Sequence, residues 1–358
     1  MYSPNRNNYV DIMRGLAMLL VVLCHTMTGC TTGSEESFLF NVVWSLQMPL
    51  FILISGYVTR YSRSINTGVE LWLFIKRRTL AYMLPWVVWS FLVRGVVFGQ
   101  YNLLNIKWLL WHMDSGYWFL VTIWTISIAF GLSSFIALKI AKNQGIKLQV
   151  IKTVLYLVAM TLLAGIGYVA GMTFFAIKLT LYYMPFFFIG YLYGQYSEKL
   201  YETKYGSNIK DVVVMICLAT WLVIITRVYL FCLSDSGMGI VLRVISSMSG
   251  CIAVCGLCKG IYEKIGGDKF YSLGVEQCMQ TGRLSMSILH WAGKKSLEIY
   301  MIHGLLLNIL MPGVKPYFSS PSGYGYVFAN FIITLILCAL FISLLSKNRY
   351  VKRILGMK

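Results

Sequence analysis

Charged residues are scarce in this sequence. Only 12% of its 358 residues are Asp, Glu, Lys or Arg, and only 13 residues are acidic, whereas 58% are hydrophobic. A soluble protein carries about 25% charged residues. The shortage of charge therefore excludes an ordinary soluble protein, and it leaves no room for a second, soluble domain of the usual size.

The hydrophobic residues gather into ten segments, each near the roughly 20 residues that a membrane-spanning helix needs. They predict an all-α integral membrane protein with about ten transmembrane helices, forming a single domain over residues 1–358. The first segment is too long for a cleaved signal peptide and has no convincing small-residue cleavage site, so it is predicted to be a retained span. The segments cover residues 10–29, 38–59, 79–99, 117–138, 151–171, 173–195, 211–233, 239–258, 295–312 and 325–346.

Basic residues outnumber acidic ones by 31 to 13. If the N-terminus is cytoplasmic, 25 of the Lys and Arg residues fall in predicted cytoplasmic segments and only 3 in outer loops. This asymmetry follows the positive-inside rule and predicts that both termini are cytoplasmic. It also explains the net charge of +18 by topology and by contact with anionic lipid headgroups, without a nucleic-acid partner.

The nine cysteines lie mostly within predicted spans. Cys251, Cys255 and Cys258 share one helical face, but no histidine or carboxylate accompanies them there. Zinc and related sites usually combine ligands at defined spacings. These cysteines are therefore predicted to be small packing residues, and no metal site is expected.

The longest polar segment covers residues 259–294. Its end, RLSMSILHWAGKK (283–295), alternates enough between apolar and polar residues to predict a short helix on the membrane surface. On this interpretation His290 is an interfacial residue without a functional role.

Two ionisable residues bound the stretch RGLAMLLVVLCH on the first predicted span. Ionisable groups inside a bilayer are costly, so Arg14 and His25 are candidate functional groups. Their separation of eleven positions corresponds to about 16 Å along a helix and returns to nearly the same face. The two side chains therefore mark two depths on one stripe and cannot form a direct salt bridge.

Three further arginines fall inside predicted spans, all in the outer half of the membrane. Together with polar residues at the start of the fourth span, they can form a cationic chamber that is open to the outside. The alternative is that each arginine extends to the outer interface and has no functional role. The residues concerned are Arg94, Arg227, Arg243, His112, Asp114, Tyr117 and Trp118.

A basic cluster, Lys76–Arg77–Arg78, precedes the third predicted span. Positive-inside flanking is sufficient to explain it. The alternative is a site for a phosphorylated cytoplasmic ligand, because guanidinium groups bind phosphate oxygens well.

Six landmarks, taken in order along the chain, resemble the acyltransferase-3 family of membrane proteins. Each is loose alone, and together they cover most of the sequence. They are Asp11–Arg14–Gly15–His25, MPLFILISGY (48–57), the basic cluster before Pro85, GYWFL (116–120), YMPFFFIGYLYG (183–194), and GKKSLEIYMIHG (293–304) with its His303.

The resemblance implies transfer of an acyl group, commonly acetyl, from cytoplasmic acyl-coenzyme A to a hydroxyl of an extracytoplasmic or lipid-linked carbohydrate. The expected location is the inner (cytoplasmic) membrane, as a multi-pass protein. Some relatives carry an extra C-terminal hydrolase-like domain. This sequence ends twelve residues after its tenth predicted span, so the single-domain form is expected, and a relay to another catalytic domain would need another protein.

A sugar hydroxyl becomes a good nucleophile only when a base removes its proton, and histidine suits this role because its pKa lies near working pH. His25 is therefore predicted to be the general base, with Arg14 as the second catalytic residue. No cysteine has a clear activating neighbour, so direct attack on the thioester is preferred to an acyl-cysteine. The donor to the oxyanion remains open between an arginine, Tyr57 and Tyr300.

The other candidate residues divide between donor and acceptor. Arg77 and Arg78, with Arg14, are predicted to bind the coenzyme A phosphates, and Lys76 belongs to the same donor site. Ser55 can bond the acyl donor or serve close packing. The predicted acceptor site contains Arg94, Trp118, Arg227, Arg243 and His303, the last of which can instead be a structural histidine.

Ten spans with intramembrane arginines also suit a transporter of an anionic or sugar substrate, and a membrane scaffold without catalytic activity is a third interpretation. Transporters are often built from inverted repeats, and the two halves of this sequence do not look alike. Neither alternative needs the ordered set of landmarks. The acyltransferase is therefore the preferred hypothesis.

Overall fold

The computed structural model describes residues 7–97, 99–113, 116–142, 145–201, 206–264, 267, 283–310 and 313–348. Helices dominate these residues, and short 3₁₀ turns join several of them. In chain order the α-helices are α1 (Asn8–Cys30), α2 (Phe38–Tyr57), α3 (Gly68–Val87), α4 (Ile106–Trp111), α5 (Trp118–Ala141), α6 (Gly145–Ala170), α7 (Ile177–Tyr201), α8 (Gly206–Arg227), α9 (Gly237–Lys264), α10 (Arg283–Lys294), α11 (Ser296–Leu310) and α12 (Pro321–Ser346).

The predicted all-α membrane fold is confirmed. Within the described part of the chain, nine helices are long and apolar enough to cross a membrane, and they match nine of the ten predicted segments. The remaining segment, 295–312, corresponds to α11, which has only 15 residues. A helix of that length extends about 22 Å, which is less than the roughly 30 Å hydrocarbon core of a bilayer.

The third span begins earlier than predicted. Helix α3 starts at Gly68, where Thr67 and Glu70 form a reciprocal capping box. Such a box satisfies N–H groups that the first turn of a helix leaves without partners. The basic cluster therefore lies on the helix and not in a loop before it, because hydropathy alone does not detect a helical turn made of polar residues.

Prolines lie inside three of the helices. Pro49 and Pro185 lie within continuous α2 and α7. Pro85 near the end of α3 is followed by a wide, π-helical stretch, Val88–Val97. A proline lacks the N–H of a regular turn and crowds the preceding carbonyl, which accounts for the change of winding there.

The boundary between the fifth and sixth predicted spans is confirmed. Helix α6 ends at Ala170, and a 3₁₀ turn, Phe174–Ala176, precedes α7. Within that turn Phe175 and Ala176 have φ of 49° and 53°, a left-handed conformation that ends a right-handed helix.

The chain divides into two compact units. The first contains residues 1–57 and 189–345, which include α1, α2 and α8 to α12. Its core includes Cys24 and Met27 of α1, Phe40 and Val43 of α2, and residues from α12 and the segment before it. The Asn41 side chain in α2 donates to the carbonyls of Ile225 and Val228 and accepts from Leu230 N–H, which fastens the end of α8 to α2.

In the first unit, α10 crosses α1 in close contact. A Cβ atom on Gly15 would collide with the Leu289 carbonyl, and one on Gly293 would collide with the Asp11 carbonyl. Each glycine thus makes room for the backbone of the opposite helix. The prediction of a helix at 283–295 is correct, and its placement on the membrane surface stays a prediction.

Gly190 and Gly194 of α7 serve close packing. Both face α2, where the carbonyls of Leu53 and Tyr57 occupy the space that a side chain would need. Small residues at this spacing allow two helices to approach closely.

The second unit contains residues 58–188 and 346–358, which include α3, α5, α6 and the first part of α7. The Trp124 indole of α5 donates to Thr79 Oγ1 of α3 at 3.0 Å. The buried Tyr156 hydroxyl of α6 donates to the Met184 carbonyl of α7 at 3.1 Å. These bonds join neighbouring helices where only a few polar groups are buried.

Candidate active site

Two histidines, His25 of α1 and His303 of α11, are in contact within the first unit. The rings of His25 and His303 have centroids 5.3 Å apart and are tilted by 45°. The two residues are separated by most of the sequence, and each belongs to one of the landmarks. The sequence indicates both residues as candidates but gives no reason to expect them in contact.

The tautomer of His303 is fixed by its own helix. The ring is buried, with 4% of the residue exposed, and Nδ1 lies 2.9 Å from the Ile299 carbonyl. A carbonyl only accepts hydrogen bonds, so Nδ1 carries the proton and Nε2 of the neutral ring carries the lone pair. The Tyr300 ring lies 5.9 Å from His303 and helps to hold it.

His25 differs from His303 in its access. Protein surrounds the His25 ring on most sides, yet this residue is exposed while its neighbours Cys24 and Thr26 are buried. His25 is therefore the histidine of the pair that has accessible surface. His303, in contrast, is enclosed by protein.

Arg14 lies on the same helix as His25, and the residue is half-buried. The rise of α1 places it about 16 Å from His25. Met18 and Val21, which occupy the same stripe between them, are buried. The part of the stripe between Arg14 and His25 therefore faces protein, and intramembrane arginines are tolerated where they face the protein interior.

A polar cluster that sequence analysis missed lies where α1 meets α10. His290 Nε2 is 3.1 Å from Asn8 Oδ1 and 3.8 Å from Asp11 Oδ2, and all three residues are buried. The sequence does not predict these partners of His290, and its position at the membrane interface stays a prediction. A titratable residue among the apolar residues 288–292 was the available signal, and only the crossing of α1 and α10 reveals its partners.

A second ion pair lies at the start of α11. Glu298 is 2% exposed, and its Oε1 is 3.1 Å from Lys295 Nζ. A buried carboxylate needs such a partner because removing its charge from water is costly. Glu298 lies in the first turn, where the helix dipole also favours a negative charge.

The basic cluster separates into two kinds of residue in the second unit. Arg78 is half-buried, lies 5.3 Å from the Phe74 ring centre and donates from Nη1 to the Tyr82 hydroxyl at 3.3 Å. Lys76 and Arg77 are exposed. Arg78 therefore takes part in packing, whereas Lys76 and Arg77 present their charges to the surroundings.

Arg94 and Trp118 lie among aromatic rings of the second unit. The Arg94 guanidinium is 5.8 Å from the Tyr117 ring centre, and Trp118 stacks on Tyr183 with centroids 5.6 Å apart and a tilt of 15°. Burial raises the pKa of the Tyr117 phenol, and Arg94 partly opposes this rise. Tyr117 is therefore a neutral hydrogen-bonding group at physiological pH.

The two outer arginines of the first unit occupy different settings. Arg243 is bound to the α8–α9 connection: Nε donates to the Leu230 carbonyl at 3.0 Å, Nη1 pairs with Asp235 at 2.9 Å, and Nη2 donates to the Leu233 carbonyl. Arg227 is exposed and ends α8, whose dipole favours a cation there. This geometry gives Arg243 a structural role.

Three candidate residues remain: Ser55, His112 and Asp114. The Ser55 hydroxyl donates to the Phe51 carbonyl of its own helix at 2.8 Å, which fits packing better than a bond to the donor. His112 stacks on Trp108 with centroids 4.3 Å apart. Asp114 lies outside the described residues.

The family model for an acyltransferase domain matches residues 7–345, which is nearly the whole chain. The chain therefore belongs to the acyltransferase-3 family, as the landmarks predicted. Membership supports acyl transfer as the general activity of this multi-pass membrane protein. No curated protein and no solved structure matches the sequence.

Proposed function

We propose that the protein transfers an acetyl group from cytoplasmic acetyl-coenzyme A to a hydroxyl of a surface or lipid-linked carbohydrate, in the inner (cytoplasmic) membrane. The observation that carries this proposal is the contact between His25 and His303, two landmark histidines from opposite ends of a chain that belongs to an acyltransferase family. One histidine is accessible and the other is buried with a fixed tautomer.

His25 acts as the general base in the proposed reaction. The carbohydrate oxygen attacks the thioester carbon and forms the new C–O bond, while its proton passes to a ring nitrogen of His25. The tetrahedral intermediate then collapses, the C–S bond breaks, and the thiolate of coenzyme A takes the proton from His25. The products are an acetyl ester and free coenzyme A, and His25 returns to its neutral form.

The other candidate residues for binding the donor and the acceptor do not support this proposal equally. Exposed Lys76 and Arg77 on α3 offer charges to the coenzyme A phosphates, and Arg14 is a further cation for the donor on the helix of His25. Trp118 and Tyr183 offer a stacked aromatic surface to a sugar face. Arg243 contributes less, because its guanidinium already binds the α8–α9 connection.

Mass spectrometry of the host's surface glycans, with and without this gene, tests the proposal. We expect one glycan to lose the mass of an acetyl group per modified unit when the gene is deleted, and to regain it when the gene is restored. Identical glycan masses in the two strains would contradict the proposed function. A transporter would instead show substrate counterflow in liposomes without acetyl-coenzyme A.

A further inference from the structure

The side chain of Gln47 on α2 is buried without a full set of partners. The residue is 5% exposed, its Nε2 lies 3.2 Å from Cys24 Sγ, and its Oε1 has no hydrogen-bond partner. Among the described residues, four other buried polar side-chain atoms also have no partner, but all four are hydroxyl oxygens. Gln47 is the only carboxamide in that group.

Gln47 interrupts an apolar stripe. Phe40 and Val43 precede it on the same face of α2 and pack in a core cluster with Cys24 and Met27 of α1. A leucine or methionine at position 47 would continue this stripe without burying a polar group. The contact with Cys24, the residue directly before His25, places Gln47 at the level of the histidine pair along α1.

The side-chain amide of Gln47 can point its N–H donors away from Cys24. A thiol is a weak hydrogen-bond donor, and rotation of the amide by 180° lets Oε1 accept from Cys24 S–H. The same rotation turns Nε2, with its two N–H donors, toward the position that has no protein partner. A buried polar group without a partner is destabilising. The unpartnered amide of Gln47 beside α1, the helix of His25, therefore indicates that a ligand supplies its partner.

We propose that Gln47 is a catalytic residue that donates a hydrogen bond to the acyl carbonyl oxygen as this oxygen becomes an oxyanion. The inference rests on the proposed function. When the carbohydrate oxygen bonds to the thioester carbon, an electron pair moves onto the carbonyl oxygen, and an N–H of Gln47 stabilises the negative charge. The C–S bond then breaks, the carbonyl re-forms, and the thiolate receives the proton held by His25.

The test replaces Gln47 by a side chain of similar size without polar atoms. For Gln47→Met, we expect kcat for acetyl transfer to envelope glycans in membrane vesicles to fall by about 10²-fold, as it does when one oxyanion donor is removed. We expect an unchanged KM for acetyl-coenzyme A, because the donor acts in the transition state. The Tm of the purified variant in detergent should be unchanged or higher, since the buried amide has no full set of partners.

Thr334→Val is the matched control. Thr334 Oγ1 on α12 is another buried atom without a partner, and its loss should leave both kcat and Tm at or above the parent values. A parental kcat in Gln47→Met would overturn the inference. A lower Tm with a parental kcat per folded molecule would also overturn it, because Gln47 would then be structural. If the parent protein itself transfers no acetyl group, the proposed function fails instead.

Discussion

At the residue scale, two histidines of the same type acquire different properties from their neighbours. The Ile299 carbonyl fixes the protonated nitrogen of His303, whereas His25 keeps accessible surface on a helix that is mostly buried. The sequence predicts that both are candidates, because an ionisable group in a span is costly. It does not predict their contact, since the pairing of α1 with α11 depends on long-range packing.

The basic cluster allows a prediction at the same scale. Arg77→Ala should raise the KM for acetyl-coenzyme A by about tenfold, since a hydrogen bond between charged groups contributes about 1.5–3 kcal/mol. Its Tm should stay at the parent value, because Arg77 is exposed. Measurements of initial rates against donor concentration, and of melting in detergent, check both expectations.

Arg78→Ala provides the comparison. This arginine contacts Phe74 and Tyr82, so its removal should lower the Tm. If Arg77→Ala binds the donor as tightly as the parent, Arg77 has no role in binding the coenzyme A phosphates.

At the scale of elements, α1 carries candidate site residues and also packs against α10. Arg14 and His25 lie on one stripe of α1, and Asp11 and Gly15 near its start meet α10. Two landmarks from opposite ends of the sequence therefore meet at this crossing, in addition to the contact between the histidines. The amphipathic pattern of α10 predicts a helix correctly, but an apolar face toward lipid and one toward another helix look alike in the sequence.

Gly293→Ala should weaken this crossing. The new Cβ atom would collide with the Asp11 carbonyl, and backbone cannot move aside as a flexible side chain does. We expect a loss of about 1–3 kcal/mol of stability, the usual cost of overpacking, seen as a lower Tm in detergent.

Gly260→Ala in α9 is the control, because no atom lies within 4 Å of its added Cβ. An alanine in an open helical position should leave the Tm unchanged or raise it. Equal melting of Gly293→Ala and the parent protein would mean that the two helices are not held in this close contact.

At the scale of the whole molecule, hydropathy predicts most of the fold. Nine predicted segments correspond to long helices. In a membrane, about 20 consecutive apolar residues can satisfy their backbone N–H and C=O groups within a helix, and few other structures do this. The beginning of α3 at Gly68 is not predicted because Lys76–Arg77–Arg78 interrupts the apolar pattern and because the helix start depends on the Thr67–Glu70 box. The described part of α11, Ser296–Leu310, is apolar but has only 15 residues.

The candidate site is less predictable than the fold. Ordered landmarks identify the family and select His25 and His303, but the buried Asn8–Asp11–His290 cluster and the unsatisfied Gln47 amide appear only when helices are packed together. The cytoplasmic location of both termini stays a prediction from the distribution of Lys and Arg.

Transfer of radiolabelled acetyl from acetyl-coenzyme A to envelope glycans, in membrane vesicles from a strain lacking the gene, tests the central claim most directly. Vesicles containing the parent protein should label the glycans, and Thr28→Ala, one turn beyond His25, should do so at the parent rate. His25→Ala at equal expression should lower the rate by about 10²–10⁴-fold, the usual contribution of a general base. Labelling by His25→Ala at the parent rate would contradict the account.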